Sequence, residues 1–161
     1  MQLPECRAEH KWLLQLVGDW TYEHECEGPP GEPKMTHTGT QQTRAVGELW
    51  TIGEGKVSGP EGCASTMIFT LGYDHAKQKF VGTFIGSMMD NMWLYEGTLD
   101  ASGKVLTLDT EGPSFADPTK IAKYQDIVEV ISPDHYTLKS RYQMDDGSWN
   151  LFMDAHYRRA K

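Results

Sequence analysis

At Gly18 the hydrophobic period of this chain changes from about four residues to two, and it does not change back. Before the glycine, Ala8, Trp12 and Leu16 recur every four residues, with Leu13 and Val17 widening the apolar stripe. That spacing predicts a helix with one buried face over roughly residues 5–17. Pro4 suits its first turn, where a missing N–H costs nothing, and Gly18 suits a left-handed stop. From Asp19 onward, alternation predicts strands at roughly 19–27, 36–46, 48–57, 64–73, 79–88, 91–99, 104–111, 123–132, 135–144 and 148–158. Such a train without intervening helices is a meander, because antiparallel neighbours need only short hairpins.

The connectors carry turn chemistry: GPPGEP, YDHAKQ, DASGK, SPDH and MDDGS. About ten strands in one open sheet would leave long unpaired edges, and closure removes them. The expected fold is therefore all-β, a single closed antiparallel meander β-barrel of about ten strands plugged at one end by the helix. At 161 residues one domain over 1–161 suffices. The irregular stretch GPSFADPTKIA, 112–122, reads as a rim loop.

Strand faces follow from alternation. On the ninth strand Tyr136, Leu138, Ser140, Tyr142 and Met144 take the inner side, and on the tenth Trp149, Leu151, Met153, Ala155 and Tyr157 share one face. The middle strands, FVGTFIGSMM and MWLYEG, are apolar on both faces. Phe80, Phe84, Trp93 and Tyr95 are assigned inward there. A slip of one residue would replace them with Ile85, Leu94 and Glu96.

Composition excludes several functions. A formal charge of -8 repels phosphate backbones, and no basic stripe overrides it, so no nucleic-acid partner is expected. The longest apolar run, Trp12 to Val17, is broken by Gln15 and too short to span a bilayer, so no membrane partner is expected. MQLPECRAEH has no basic region leading into an apolar core and does not read as a signal peptide. Cys6, Cys26 and Cys63, an odd count without a close pair, favour reduced thiols and a cytoplasmic location.

The capping helix, the G-x-W at Gly18-Asp19-Trp20 and a basic last strand together resemble the calycin superfamily of lipocalin-like barrels, which also includes fatty-acid-binding-protein-like forms. The resemblance implies that Trp20 packs under the closed end while Arg158 or Arg159 stacks on it, a structural cation–π contact. More specifically, the chain resembles domain-of-unknown-function family 1579 nearly end to end. The residues that carry this are LVGDW (16–20), GELW (47–50), TLGYD (70–74), KFVGTFIGSMM (79–89), MWLYEGTLD (92–100) and HYRR (156–159). That family is similar to lipocalin-like folds, and resemblance to it implies no reaction, substrate or catalytic residue.

Candidate chemistry is sparse. His24 and Cys26 lie two apart on one strand face, and Cys63 could approach them, which is acceptable ligand geometry. No H-x-H, H-E-x-x-H or C-x-x-C occurs, so no metal site is expected. His156 invites comparison with nitrobindins, similar haem-binding barrels that use a late histidine as axial ligand. Thr21, Tyr22 and Glu23 replace their glycine-rich opening, and alternation points His156 outward, so an exposed strand histidine is the leading reading, no cofactor is predicted, and haem stays a weaker alternative. GEGKVSGPEG, 53–62, lacks G-K-[ST] and a following helix, and reads as a flexible hairpin tip. Among many carboxylates, Asp126 shares a face with Tyr124 and Val128 and is the best interior acid by phase. No Ser-His-Asp or Cys-His arrangement can be assembled, so no catalytic residue is assigned.

The positive signal is aromatic. Phe84, Trp93, Tyr95, Tyr124, Tyr142 and Met153 are the candidate ligand-binding residues, apolar walls with hydroxyls to orient a guest. The bland alternative is that these side chains simply fill the barrel. Eight strands already leave room for one small ligand, so about ten should enclose a cavity unless side chains occupy it. The leading expectation is a barrel that binds a small apolar or aromatic molecule. An enzyme using an interior carboxylate or histidine on such a ligand is the alternative, a haem-binding barrel is a third reading, and a homodimer is left open.

Overall fold

The computed structural model describes residues 1–26, 31–58 and 64–161. One helix, α1 (Ala8–Leu14), precedes ten strands: β1 (Gly18–Cys26), β2 (Met35–Val46), β3 (Trp50–Ser58), β4 (Ala64–Asp74), β5 (Lys79–Gly86), β6 (Trp93–Leu99), β7 (Val105–Pro113), β8 (Ile121–Ser132), β9 (His135–Gln143) and β10 (Trp149–Arg159). Each strand pairs antiparallel with its sequence neighbours, and β1 closes on β10 from Trp20↔Arg159 to Cys26↔Met153. The closed ten-stranded meander expected from alternation is the observed fold. No described helix is long and apolar enough to cross a membrane.

The helix is shorter than its apolar period predicts. Arg7 is extended, at φ -102° and ψ 173°, and its N–H donates to Nδ1 of His10 at 2.9 Å. That bond starts the helix at Ala8 and leaves Pro4 outside it. At the other end Leu16 and Val17 N–H groups reach back three residues, to the carbonyls of Leu13 and Leu14 at 3.0 and 3.2 Å, which tightens the last turn. The buried stripe is His10, Leu13 and Leu16, while Ala8 is exposed. His10 Nε2 lies 3.1 Å from the Tyr73 carbonyl, so α1 docks on β4 through a polar contact as well as its leucines.

The closed half of the barrel is nearly filled, with a void of only about 40 Å³ beside Leu16, Gln41 and Tyr136. Trp20 packs edge-on to Tyr136, with ring centroids 4.7 Å apart, and Tyr136 stacks on Tyr157 at 4.5 Å. The Arg159 guanidinium lies 4.2 Å over the Trp20 ring and donates to the carbonyl of Val17 at 3.0 Å and of Pro133 at 2.8 Å. Arg158, which the resemblance allowed for the same place, is exposed and does not take it. Gly18 is the first residue of β1 and not a helix stop; its φ of 136° is available chiefly to glycine, and a Cβ there would collide with the Arg159 guanidinium. The G-x-W therefore has a steric reason: the glycine clears the path by which arginine reaches the tryptophan.

Three face assignments need correction. Along β10 the register jumps from Leu151↔Arg141 to Met153↔Ser140, so Phe152 is an extra, bulged residue. Met153, Ala155 and Tyr157 keep the inward phase, but Trp149 and Leu151 fall on the outer face, where Trp149 lies beneath Arg141 at 4.9 Å. Met144 lies beyond the end of β9 and is exposed. The supposed hairpin tip at 53–62 is strand β3 as far as Ser58; its remaining positions, 59–62, lie outside the described residues, as does Cys63. Gly53 is a strand residue paired with Thr43, and a Cβ there would crowd the Gln41 amide and the Thr43 hydroxyl.

Candidate functional site

Where the closed half keeps a void of only about 40 Å³, the other half holds a cavity of about 490 Å³. Its wall is built by the middle strands in the register that puts Phe80, Phe84, Trp93 and Tyr95 inward. Phe80 and Tyr95 are buried, whereas Leu94 is 64% exposed and Ile85 is 40% exposed. Glu96 is likewise outside, paired with Lys77 at 2.8 Å. Phe84, Trp93, Tyr95, Tyr124 and Met153 all line the cavity. Tyr142 stands one layer back, against Phe115 at 5.6 Å and Phe152 at 5.9 Å.

Aromatic rings pack here because neighbouring backbone makes room for them. The six-membered ring of Trp93 lies over Gly112 on β7, where a Cβ would strike it, and its Nε1 donates to the Met89 sulfur at 2.9 Å. The Tyr22 ring covers Gly39 in the same way on the facing wall. Two aromatics not anticipated by alternation complete the wall. Phe152 enters through the β10 bulge, and Phe115 reaches over from the 114–120 loop to meet Tyr124, Tyr142 and Phe152 at 5.0–5.6 Å. Phe115 remains 61% exposed, as a residue at the rim must be. The loop was legible as a rim; the ring's inward turn depends on partners from three other strands.

One charge stands in this apolar wall. Asp126 is inward on β8, as its phase with Tyr124 and Val128 implies. The hydroxyl of Ser140, its cross-strand partner on β9, donates to Oδ1 at 2.5 Å, and the hydroxyl of Tyr95 donates to Oδ2. Burial raises the carboxyl above the usual aspartate range, and the two hydroxyls only partly offset this. Tyr95 in turn is held well above the ordinary phenol value, by burial first and the Asp126 charge second. Tyr22 is pushed up to about 12 by burial, and its hydroxyl has no hydrogen-bond partner among the described residues. No lysine or arginine lines the cavity among those residues. Chemically this is an apolar pocket with a single carboxyl whose remaining lone pairs can accept a hydrogen bond or hold a cation.

Toward the mouth, His24 on β1 sits opposite His37 on β2, with ring centroids 5.0 Å apart, and Cys26 follows on the same face. Burial, with the neighbouring His37 second, holds His24 below the usual histidine range. The sequence brings His24 and Cys26 together but not His37, which arrives only by strand pairing. His156 is turned to the exterior: it pairs with His135 at 3.0 Å and offers no ligand from inside the barrel.

Ten sequential antiparallel strands closed around such an interior define the class, an up-and-down β-barrel with an internal cavity. The model of the family described as "Protein of unknown function (DUF1579)" matches residues 5–159, and the chain belongs to that family. Among solved structures it is similar to Rv2717c from M. tuberculosis, with 11% identity and a TM-score of 0.65 over 98% of this chain and 100% of that one. It is similar too to the S-type phycobiliprotein lyase CPES from Guillardia theta, with 13% identity and a TM-score of 0.61 over 94% and 92%. A third similar barrel is EF1p2_mFAP2b bound to DFHBI, with 12% identity and a TM-score of 0.51 over 95% and 100%. At these identities the likeness is one of fold. No curated protein matches the sequence.

Proposed function

We propose that this barrel is a lipocalin-like binding protein that holds a small, mostly apolar or aromatic molecule in its open half, with the polar end of that molecule at Asp126. The observation that carries this reading is the cavity itself: about 490 Å³, within the size range of small-molecule sites, walled by aromatic and methionine side chains around one convergent carboxyl. A barrel of similar shape solved with DFHBI supports it. The unpaired thiols of Cys6 and Cys26 support the cytoplasmic location that is part of the proposal. An enzyme acting on the same guest is the second reading. Asp126 favours it, because an interior acid with two hydroxyl partners beside open volume can also serve as a base.

Titration with an apolar fluorescent probe, backed by native mass spectrometry for a co-purified guest, tests the proposal. Trp93→Ala should weaken the probe by about 1–3 kcal/mol, the contact area of one aromatic wall. Failure of folded wild-type protein to bind any such probe sinks the carrier reading. Asp126→Asn separates the two functions, since a binder loses affinity for guests with a donor or cationic end, whereas an enzyme keeps affinity and loses turnover.

A further inference from the structure

We propose that His24, Cys26 and His37 form a binding site for a divalent transition ion of the zinc class at the cavity mouth, with an open coordination position facing the interior. Two observations carry it. The first is placement. β1 and β2 set His24 directly opposite His37, Cys26 lies two residues along the same face, and one ligand atom from each residue lies within 4.8 Å of the others. On a tetrahedral zinc, with bonds of about 2.0–2.3 Å, ligand atoms stand about 3.3–3.6 Å apart. Side-chain rotations closing the widest pair by little more than about 1 Å would complete the set, and no strand has to move.

The second observation is that these imidazoles have no other employment. Four of the six histidines are engaged: His10 by the Arg7 N–H and near the Tyr73 carbonyl, His75 by the Gln78 amide, and His135 and His156 by each other. His24 and His37 make ring contacts but no hydrogen bond among the described residues. Cys26 has only a long contact from its sulfur to the Met35 carbonyl, at 3.8 Å. The ring nitrogens of His24 and His37 are open to solvent beside a thiol, so an incoming ion displaces water and breaks no imidazole hydrogen bond among the described residues.

The donor set selects the ion. Two imidazoles and a thiolate suit zinc, cobalt and copper, and offer magnesium and calcium none of the oxygen ligands they require. Three protein ligands on a four-coordinate ion leave one position open. Both imidazoles line the cavity, so that position faces the same volume as Asp126. A guest's nitrogen, oxygen or sulfur donor could complete the shell there. The site stands on its own residues and does not depend on what occupies the cavity.

Co²⁺ is the probe, titrated into untagged, reduced protein and into a variant carrying Cys6→Ser and Cys63→Ser, which leaves Cys26 as the sole thiol. Both should bind a single Co²⁺ with a thiolate-to-cobalt charge-transfer band and the intense visible bands of four-coordinate cobalt, and Zn²⁺ should bleach them. Cys26→Ser should abolish the charge-transfer band. His24→Ala and His37→Ala should each loosen binding about 100-fold, with the β-sheet circular dichroism retained. His156→Ala should change nothing, because that imidazole is on the outer face. Absence of the band in the single-thiol protein overturns the site, and so does a band that survives His37→Ala. Loss of the wild-type band on Cys63→Ser with retention on Cys26→Ser also overturns it, as does loosening on His156→Ala.

Discussion

Truncating Trp20 to alanine tests the account of the closed end most directly. The ring is 2% exposed, packs against Tyr136 at 4.7 Å, donates from Nε1 to the Leu16 carbonyl at 2.9 Å and carries Arg159 on its face at 4.2 Å. Removing a buried tryptophan costs about 3–5 kcal/mol through lost transfer energy and the void left behind. For a chain of this length, that lowers the melting temperature by about 6–20 °C. Part of the loss belongs to the Arg159 stack and can be separated. Arg159→Ala also removes the bonds to Val17 and Pro133, so the single variant overstates the contact. A double-mutant cycle with Trp20→Ala cancels those bonds and leaves a coupling of about 0.5–2 kcal/mol. Urea denaturation of the four proteins measures it. An unchanged midpoint in Trp20→Ala would refute the closed-end assignment, and a coupling of zero would show the guanidinium merely rests there.

Other outcomes follow from the cavity and its surroundings. Gly112→Val should push the Trp93 ring into the open volume, costing about 1–3 kcal/mol of stability through overpacking and lowering probe affinity; a folded variant with unchanged affinity contradicts the placement of Trp93. Glu96→Gln, on the outer face and paired with Lys77, should leave the probe titration unaltered, and a loss of binding would mean that the middle strands are slipped by one residue. Because burial raises Asp126 in the folded state, its ionisation opposes folding: the stability tied to its neutral form is full below the unfolded value of about 3.9 and is lost as pH rises through the raised one. Asp126→Asn should therefore gain stability relative to wild type as pH rises across that window, and denaturation midpoints that stay parallel would argue against a buried carboxyl. Thiol titration of unfolded protein without reductant should find Cys6, Cys26 and Cys63 all free; Cys6 and Cys26 stand at opposite ends of the barrel, so an intramolecular disulfide between them would contradict the fold.

Alternation along one strand was enough to read which side of that strand a residue takes. Strand number, meander order and closure are legible for that reason, and so is the inward turn of Phe84, Trp93, Tyr95 and Asp126. The period of two is a local property of extended backbone and survives any tertiary arrangement. What lies between strands has no such local signal. The extra residue at Phe152 preserves composition and interrupts only phase, so Trp149 and Leu151 read as inward until pairing with β9 reveals the bulge. His37 meets His24, and Tyr95 meets Asp126, through register across β1 and β2 or around the barrel from β6 to β8, which no spacing in the sequence encodes. Whether aromatic side chains fill the interior or only wall it is a question of volume. Only the closed barrel decides it, by stacking Trp20, Tyr136 and Tyr157 into one half and holding the rings of the other half against strand glycines, which leaves the space between them open.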